Sequence, residues 1–520
     1  MSALFLILAT LPLQAQGPAN FIPPPNNAAP ASPAVACKSL IAQTTYEFTI
    51  ETAILTPAEG EAPEFCRVMG MILPEIRFEL ALPTQWNRRF HLTGSGGYAG
   101  DSLDSPQRLR LRTIALRRGF AAAVTNTGHD SRTEPLATFA TNRQKLYDYA
   151  YRSLHLTTEA GKKITAAYYG AQPVKSYYQG CSTGGRQGLI LAQRFPNDYD
   201  GIVAGAPVLN FSMTMAGFAC REQALLEAPI PYAKIATLSD RIYATCDAID
   251  GLKDGVIDDP RLCTFQPARD LPRCTAQDNN TCFTDAQIKA LEKIYGDIYS
   301  NGKRVFPGWP LGAEVKGADG KSGWDQWIIR ENGEKTIAWG FAESFFRHMA
   351  FPRKEQSIEL RDFDPNKHIP QLDWIHPILD ATDPDLTPFQ KRNGKMLMYF
   401  GWADPSLNAL MGVEYYESVL KTTGPRTPDF FRLFMQPGIF HCGGGPGAGT
   451  FDPLLEVMAW VEQGKSPDRI TASRIIDGKT TRTRPLCPYP QIAKYKGTGN
   501  PDDAANFTCA VARASRPARN

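Results

Sequence analysis

Tyr177-Tyr178-Gln179-Gly180-Cys181-Ser182-Thr183-Gly184-Gly185-Arg186-Gln187-Gly188 is the stretch that decides how this chain folds. An extended, aromatic-rich run, Val174 to Gln179, leads into it, and a helix-compatible run, Arg186 to Arg194, leads out. Between them lies Gly-x-Ser-x-Gly. A serine on a sharp strand-to-helix turn is held out of a sheet with its hydroxyl exposed, and the flanking glycines tolerate the crowded backbone. The N-terminus of the following helix offers N–H groups and the positive end of a dipole, which favour negative charge developing on a substrate oxygen. This is the position of an acyl-transfer nucleophile, provided that a base and an acid are at hand.

A serine hydroxyl needs a base, and the base needs a carboxylate to fix its tautomer. Behind a strand–turn–helix serine of this kind, acid and histidine follow in that order on loops after later strands. Lys395 to Phe400 reads as a buried strand and ends in Gly401-Trp402-Ala403-Asp404-Pro405. Phe430 to Met435 reads as the next, and runs into Gly438-Ile439-Phe440-His441-Cys442. Asp404 and His441 thus each fall just past a strand, on the edge where open α/β sheets bind ligands. Alone, Asp404 would read as a turn aspartate before proline; Ser182 upstream gives it a catalytic role. Of the seven histidines, His129 also ends a strand-like run, but it precedes the serine and reads as structural. Cys181 adjoins the serine and Cys442 adjoins the histidine. If Ser182 and His441 touch, these two sulfurs come within disulfide reach. A bond closing a loop of about 260 residues would strongly restrict the unfolded chain.

Cys-Ser, then Asp, then His-Cys resembles the tannase and feruloyl esterase family, which includes hydrolases of mono(2-hydroxyethyl) terephthalate. Gly180-Cys181-Ser182-Thr183-Gly184-Gly185-Arg186-Gln187-Gly188 matches its nucleophile motif residue for residue. The resemblance extends over nearly the whole chain beyond its first residues. It implies an α/β fold, an α/β-hydrolase core interrupted by a large inserted lid domain, and hydrolysis of carboxylic esters with aromatic acyl groups. Ser182 would be the nucleophile, His441 the general base and then acid, and Asp404 its orienter. The chain divides accordingly into core residues 37–208, a lid over 209–390 and a second core part over 391–520. The resemblance also implies disulfides Cys37–Cys66, Cys181–Cys442, Cys246–Cys263, Cys274–Cys282 and Cys487–Cys509, leaving Cys220 free. Galloyl, feruloyl and terephthalate half-esters differ only in ring substituents. The terephthalate-hydrolysing relative carries an acidic residue where this chain has Thr183 and an aromatic one where it has Leu407. Both departures favour a feruloyl or galloyl ester. A terephthalate half-ester hydrolase, or an acyltransferase using the same triad, are the alternatives.

Two further sites can be read. His91-Leu92-Thr93-Gly94-Ser95-Gly96-Gly97-Tyr98-Ala99-Gly100 follows the apolar stretch Trp86 to Leu92. The N–H of Gly97 in this loop, with that of Thr183, would form the oxyanion hole. Asp247-Ala248-Ile249-Asp250-Gly251-Leu252-Lys253-Asp254-Gly255-Val256-Ile257-Asp258 sets carboxylates among turn-forming glycines. Calcium takes six to eight oxygen ligands from such curled loops. Asp247, Asp250 and Asp254 would supply side chains, and Leu252 and Val256 carbonyls, to a structural Ca2+; at these five positions the loop resembles the lid calcium loop of the family. The spacing is not that of an EF-hand. Trp339, Phe341, Phe345 and Phe346 are candidates for the flat apolar slot that an aromatic acyl group requires.

Composition sets the outer bounds. At 520 residues and 43% hydrophobic, the chain can bury a large core and more than one domain. Its net charge of +3 is spread over interspersed charges with no basic run, which argues against a nucleic-acid partner; the resemblance implies a small aromatic ester as the substrate. Met1 to Leu13 is apolar and is followed by Gln14-Ala15-Gln16-Gly17, which reads as a secretory signal over 1–15 cleaved after Ala15. It is too short to span a membrane, and no later segment reaches that length. Eleven cysteines behind such a signal imply an oxidising compartment, periplasmic or extracellular. The Pro/Asn/Ala-rich stretch Pro23 to Pro33, within residues 16–36, reads as a disordered linker.

Overall fold

The computed structural model describes residues 21–275, 277–330, 333–351 and 358–511. The expected signal segment, 1–15, lies outside the described residues. Nine strands form one sheet: β1 (Thr49–Thr56), β2 (Phe65–Ile72), β3 (Ile76–Pro83), β4 (Arg89–Thr93), β5 (Ala121–Thr125), β6 (Lys175–Cys181), β7 (Gly201–Gly205), and, beyond a short hairpin β8 (Ile298–Ser300) and β9 (Lys303–Phe306), β10 (Lys395–Gly401) and β11 (Phe431–Gln436). Two more hairpins follow, β12 (Ile470–Ile476) with β13 (Lys479–Leu486) and β14 (Gln491–Tyr495) with β15 (Phe507–Val511). The sheet order is β1-β2-β3-β5-β4-β6-β7-β10-β11. The pairs from β1 to β5 are antiparallel, and the run from β5 through β4, β6, β7 and β10 to β11 is parallel.

Parallel strands need crossover helices on both faces, so their residues are buried on both sides and read as continuous apolar runs. β5 and β7 are buried along their whole length. The two faces pack separately. Tyr177, Val203 and Leu397 join Leu454 and Val457 of the helix Pro453–Gln463. Tyr178, Ile202 and Met398 join Leu189 and Ile190 of the helix Thr183–Arg194 and Leu154 of the helix Ser153–Tyr169. Because β4, β6, β10 and β11 all point the same way, the loops carrying Gly97, Ser182, Asp404 and His441 emerge on one edge of the sheet.

The long insertion between β7 and β10 is not uniform. Ile242, Phe283, Leu291, Trp324 and Ile328 form a core of their own. The helix Phe211–Glu227, by contrast, places Phe211, Met215 and Phe218 in the main core, as do Phe345, Phe346 and Met349 further on.

The disordered linker expected over Pro23–Pro33 is corrected by the structure. Ala31 and Trp86 exchange backbone hydrogen bonds of 2.9 Å, and Ala34 N–H donates to the Tyr168 carbonyl at 2.7 Å. Arg88 and Arg89 donate to the carbonyls of Ala29 and Pro23, each at 2.8 Å. Proline removes N–H donors but leaves every carbonyl, and the half-buried Arg88 and buried Arg89 supply hydrogens to two of these carbonyls. All five expected disulfides form, and Cys220 is free and half-buried, its thiol pushed up to about 12 by burial. Among the described residues no helix is long and apolar enough to cross a membrane.

Candidate active site

Ser182 immediately follows β6 with φ 63° and ψ −123°, a left-handed conformation that a non-glycine residue holds only when its surroundings impose it. They do so here: its N–H donates to the Gly205 carbonyl at 3.0 Å, and its own carbonyl accepts from Arg186 N at 3.1 Å and Val208 N at 3.3 Å. The helix behind it can approach β7 only because Gly185 has no Cβ, which would run into the Gly205 carbonyl oxygen.

Asp404 is fully enclosed and His441 nearly so, their side chains 0% and 13% exposed. His441 Nδ1 and Asp404 Oδ2 lie 2.8 Å apart. The other carboxylate oxygen accepts from Ser406 N at 2.9 Å and Leu407 N at 2.8 Å, which fixes the acid's orientation. An Nδ1–H donated to the carboxylate leaves Nε2 as the basic nitrogen. Cys181 and Cys442 are bonded with their Cα atoms 6.1 Å apart, so the serine turn and the histidine loop are stitched together one residue from Ser182 and from His441. The structure thus brings the three sequence-derived residues to one edge and pairs the acid with the histidine. His129 lies elsewhere, buried and stacked on Phe139 at 3.8 Å, with burial lowering it to about 4; it is a neutral core histidine.

Gly97 has φ +53°, and Thr183 occupies the first position of its helix. Among the described residues neither backbone N–H has a hydrogen-bond partner. The loop before Gly97 is anchored. Ser95 N–H donates to Gln187 Oε1 at 2.9 Å, and Arg108 donates to Gly94 O at 2.8 Å and Ser95 Oγ at 2.9 Å.

Aromatic rings wall this edge. Phe341 comes within 3.3 Å of the point where a Cβ on Gly97 would sit, and stacks on Tyr98 at 4.9 Å. Trp327 stands 6.1 Å from Phe341 and meets the His441 ring edge-on at 5.7 Å. The sequence reading missed Trp327, which sits in no motif. Phe345 and Phe346 are corrections: both are wholly buried in the main core and line no slot. Trp339 is half-buried, with the Lys335 ammonium 4.7 Å from its ring.

The acidic loop is partly assembled. Asp247 Oδ1 accepts from Gly255 N at 3.0 Å and Asp254 N at 3.2 Å, and Asp250 Oδ1 accepts from Leu252 N at 3.0 Å. Asp258, which closes the same stretch, faces Asp250. Burial and the charges of Asp250 and Asp254 push its carboxyl well above the usual range. Asp254 is turned toward Arg484 and Arg482. The one trio whose ligand atoms converge among the described residues is Cys274, Asp278 and Cys282, and its sulfurs are spent in a disulfide. The donor set at Asp247–Asp258 nonetheless fits a hard cation: two half-buried carboxylates facing each other favour sharing a proton or a positive ion.

Comparison with known proteins agrees with this geometry. The tannase and feruloyl esterase family model matches residues 60–510. The chain belongs to the tannase and feruloyl esterase family. It is 35% identical over 532 aligned positions to mono(2-hydroxyethyl) terephthalate hydrolase of Piscinibacter sakaiensis, covering 89% of this chain and 87% of that one. The crystal structure of feruloyl esterase B from Aspergillus oryzae superposes with a TM-score of 0.79 at 28% identity, over 91% of this chain and 99% of the other. Tannin acyl hydrolase from Aspergillus niger shares the fold, with a TM-score of 0.73 at 22% identity over 93% and 97% of the two chains. As a tannase and feruloyl esterase family member, the chain is a carboxylic ester hydrolase.

Proposed function

We propose that this protein is an exported serine esterase of the α/β-hydrolase type that cleaves esters of aromatic carboxylic acids, feruloyl or galloyl in kind, through an acyl-enzyme. One observation carries the reading: a strained serine elbow is joined by the Cys181–Cys442 disulfide to a histidine that is paired with a buried aspartate. His441 takes the Ser182 proton as Oγ attacks the ester carbonyl, and Asp404 stabilises the imidazolium. The N–H groups of Thr183 and Gly97 receive the oxyanion. His441 returns the proton to the leaving alcohol, and water, activated in the same way, then releases the acid. Phe341 and Trp327 supply flat apolar walls between Gly97 and His441, suited to an aromatic acyl group. The insertion that carries them acts as the lid. Asp247, Asp250 and Asp254, with the carbonyls of Leu252 and Val256 and with Asp258, would hold a structural Ca2+, which supplies charge neutralisation to the loop. Five disulfides support an oxidising compartment.

The test is chromatographic product analysis with methyl ferulate, methyl gallate and mono(2-hydroxyethyl) terephthalate, using Ser182→Ala as the control. Serine-dependent release of ferulate or gallate is the expected result. Preferential release of terephthalate would move the substrate to the half-ester, and no release by disulfide-intact protein would overturn the aromatic-ester reading.

A further inference from the structure

We propose that the Thr183 hydroxyl is a positioning group for the reaction, gripping the Gly97 carbonyl so that the loop holds its N–H on the oxyanion. The inference rests on the reading of Gly97 and Thr183 as the oxyanion pair and assigns a second, separate task to the threonine side chain.

Thr183 Oγ1 donates to the Gly97 carbonyl at 2.6 Å, and the Tyr149 hydroxyl donates to the same oxygen at 3.2 Å. Gly97 needs such a grip. With no Cβ and a left-handed φ of +53°, it is among the freest residues of its loop. The N–H in question belongs to the Gly96–Gly97 peptide. On one side of that peptide, Ser95 N–H is tied to Gln187 Oε1 of the nucleophile helix at 2.9 Å. On the other, the Gly97 carbonyl is tied to Thr183 of the same helix. The peptide that must present a donor is therefore strung between two anchors on one rigid element. Because Thr183 also offers its own N–H, one residue fixes the spacing of both donors. Donors aimed in advance cost no reorganisation when charge develops, which is where electrostatic catalysis gains most.

The second donor is itself held. Tyr149 is wholly buried, and the Arg186 guanidinium lies 5.0 Å from its ring centre. Arg186 in turn donates to the Leu379 carbonyl at 2.8 Å and the Ala150 carbonyl at 3.3 Å. Thr183 is 2% exposed, so its hydroxyl is not a solvated surface group. Its partner lies 86 positions away in the chain, so this is no local helix cap.

The experiment compares wild type with Thr183→Val, which keeps the shape and loses the hydroxyl, Thr183→Ser, which keeps the hydroxyl, and Tyr149→Phe. For each, kcat and KM are measured on an aromatic ester hydrolysed in a Ser182-dependent manner, together with Tm. Two affinities are added, for the product acid and for phenylboronic acid. The serine oxygen adds to boron, its proton passing to His441, to give a tetrahedral adduct with a B–O group at the oxyanion position. Thr183→Val should lower kcat about tenfold or more and weaken the boronate by a similar factor, with KM and product-acid affinity little changed. Thr183→Ser should recover most of the loss, and Tyr149→Phe should show a smaller loss of the same kind. An unchanged kcat in folded Thr183→Val overturns the proposal, as does an equal loss of product-acid binding or a failure of serine to rescue. If Thr183→Val does not fold, Tyr149→Phe with unaltered boronate affinity overturns it. Wild-type protein without Ser182-dependent turnover refutes the oxyanion reading itself, a result distinct from all of these.

Discussion

Asp404 is held by three hydrogen bonds, two from backbone N–H groups and one shared with His441. Asp404→Asn keeps the shape but offers an amide to Nδ1, favouring the wrong tautomer; kcat should fall by about 10⁴ with KM little changed, as steady-state kinetics would record. A second buried acid bears on stability. Burial lifts Glu222 to about 7, against the opposing pull of Arg221 and of the Thr336 hydroxyl that donates to it at 2.8 Å. An unfolded glutamate titrates near 4.3. Its folded value is raised, so its stabilising contribution is complete below about 4.3 and is lost as pH rises through 7. The wild type should therefore lose on the order of 3 kcal/mol across that window relative to Glu222→Gln, measurable by urea unfolding at several pH values. Thr336 also caps the helix that carries Phe341, so the acid is hydrogen-bonded to that helix's N-terminal residue. That Ser182, Asp404 and His441 share one edge, and that the last two pair, was legible in the sequence because each follows a strand and two have a cysteine neighbour. Trp327 was not, because its place beside His441 is set by the path of the whole insertion.

Among the elements, the acidic loop makes the clearest prediction. A cation that binds only the folded loop raises stability with concentration, by about 2.7 kcal/mol at a hundred times its Kd. Added Ca2+ should raise Tm and a chelator lower it, while Asp250→Asn should abolish the difference; differential scanning fluorimetry reads all three. Arg484 and Arg482, from β13, meet Asp254, so an ion there works against an existing charge contact. The central strands were legible almost to the residue. Lys395–Phe400 was expected and Lys395–Gly401 found, because a strand buried on both faces is an unbroken apolar run bounded by turn residues. The insertion's elements were not, since short helices joined by long connections leave no single period to follow. The turn-rich acidic loop could be read from the sequence, but that Asp258 faces Asp250 depends on how the loop closes.

Over the molecule as a whole, the N-terminal stretch is pinned to the core through its backbone, although most of its residues are exposed. Arg89 is 2% exposed and takes one of its acceptors from Pro23. Deleting residues 21–35 strips that buried guanidinium of a partner and removes the Ala31–Trp86 pairing, at a cost of about 1–3 kcal/mol for the buried group alone. Tm should drop by several degrees with kcat at room temperature unchanged. Proline-rich composition hid this, since it describes a free tether and a chain pinned through its carbonyls equally well. The Cys181–Cys442 bond has a further consequence. The turn between Lys316 and Lys321 is largely exposed, and a protease nick there would leave Ser182 on one fragment and both Asp404 and His441 on the other. Of the five disulfides, only Cys181–Cys442 joins the two pieces. The nicked enzyme should migrate as one band on a non-reducing gel and as two after reduction, and before reduction it should still turn over. Its active site would be a covalent rivet between two polypeptides.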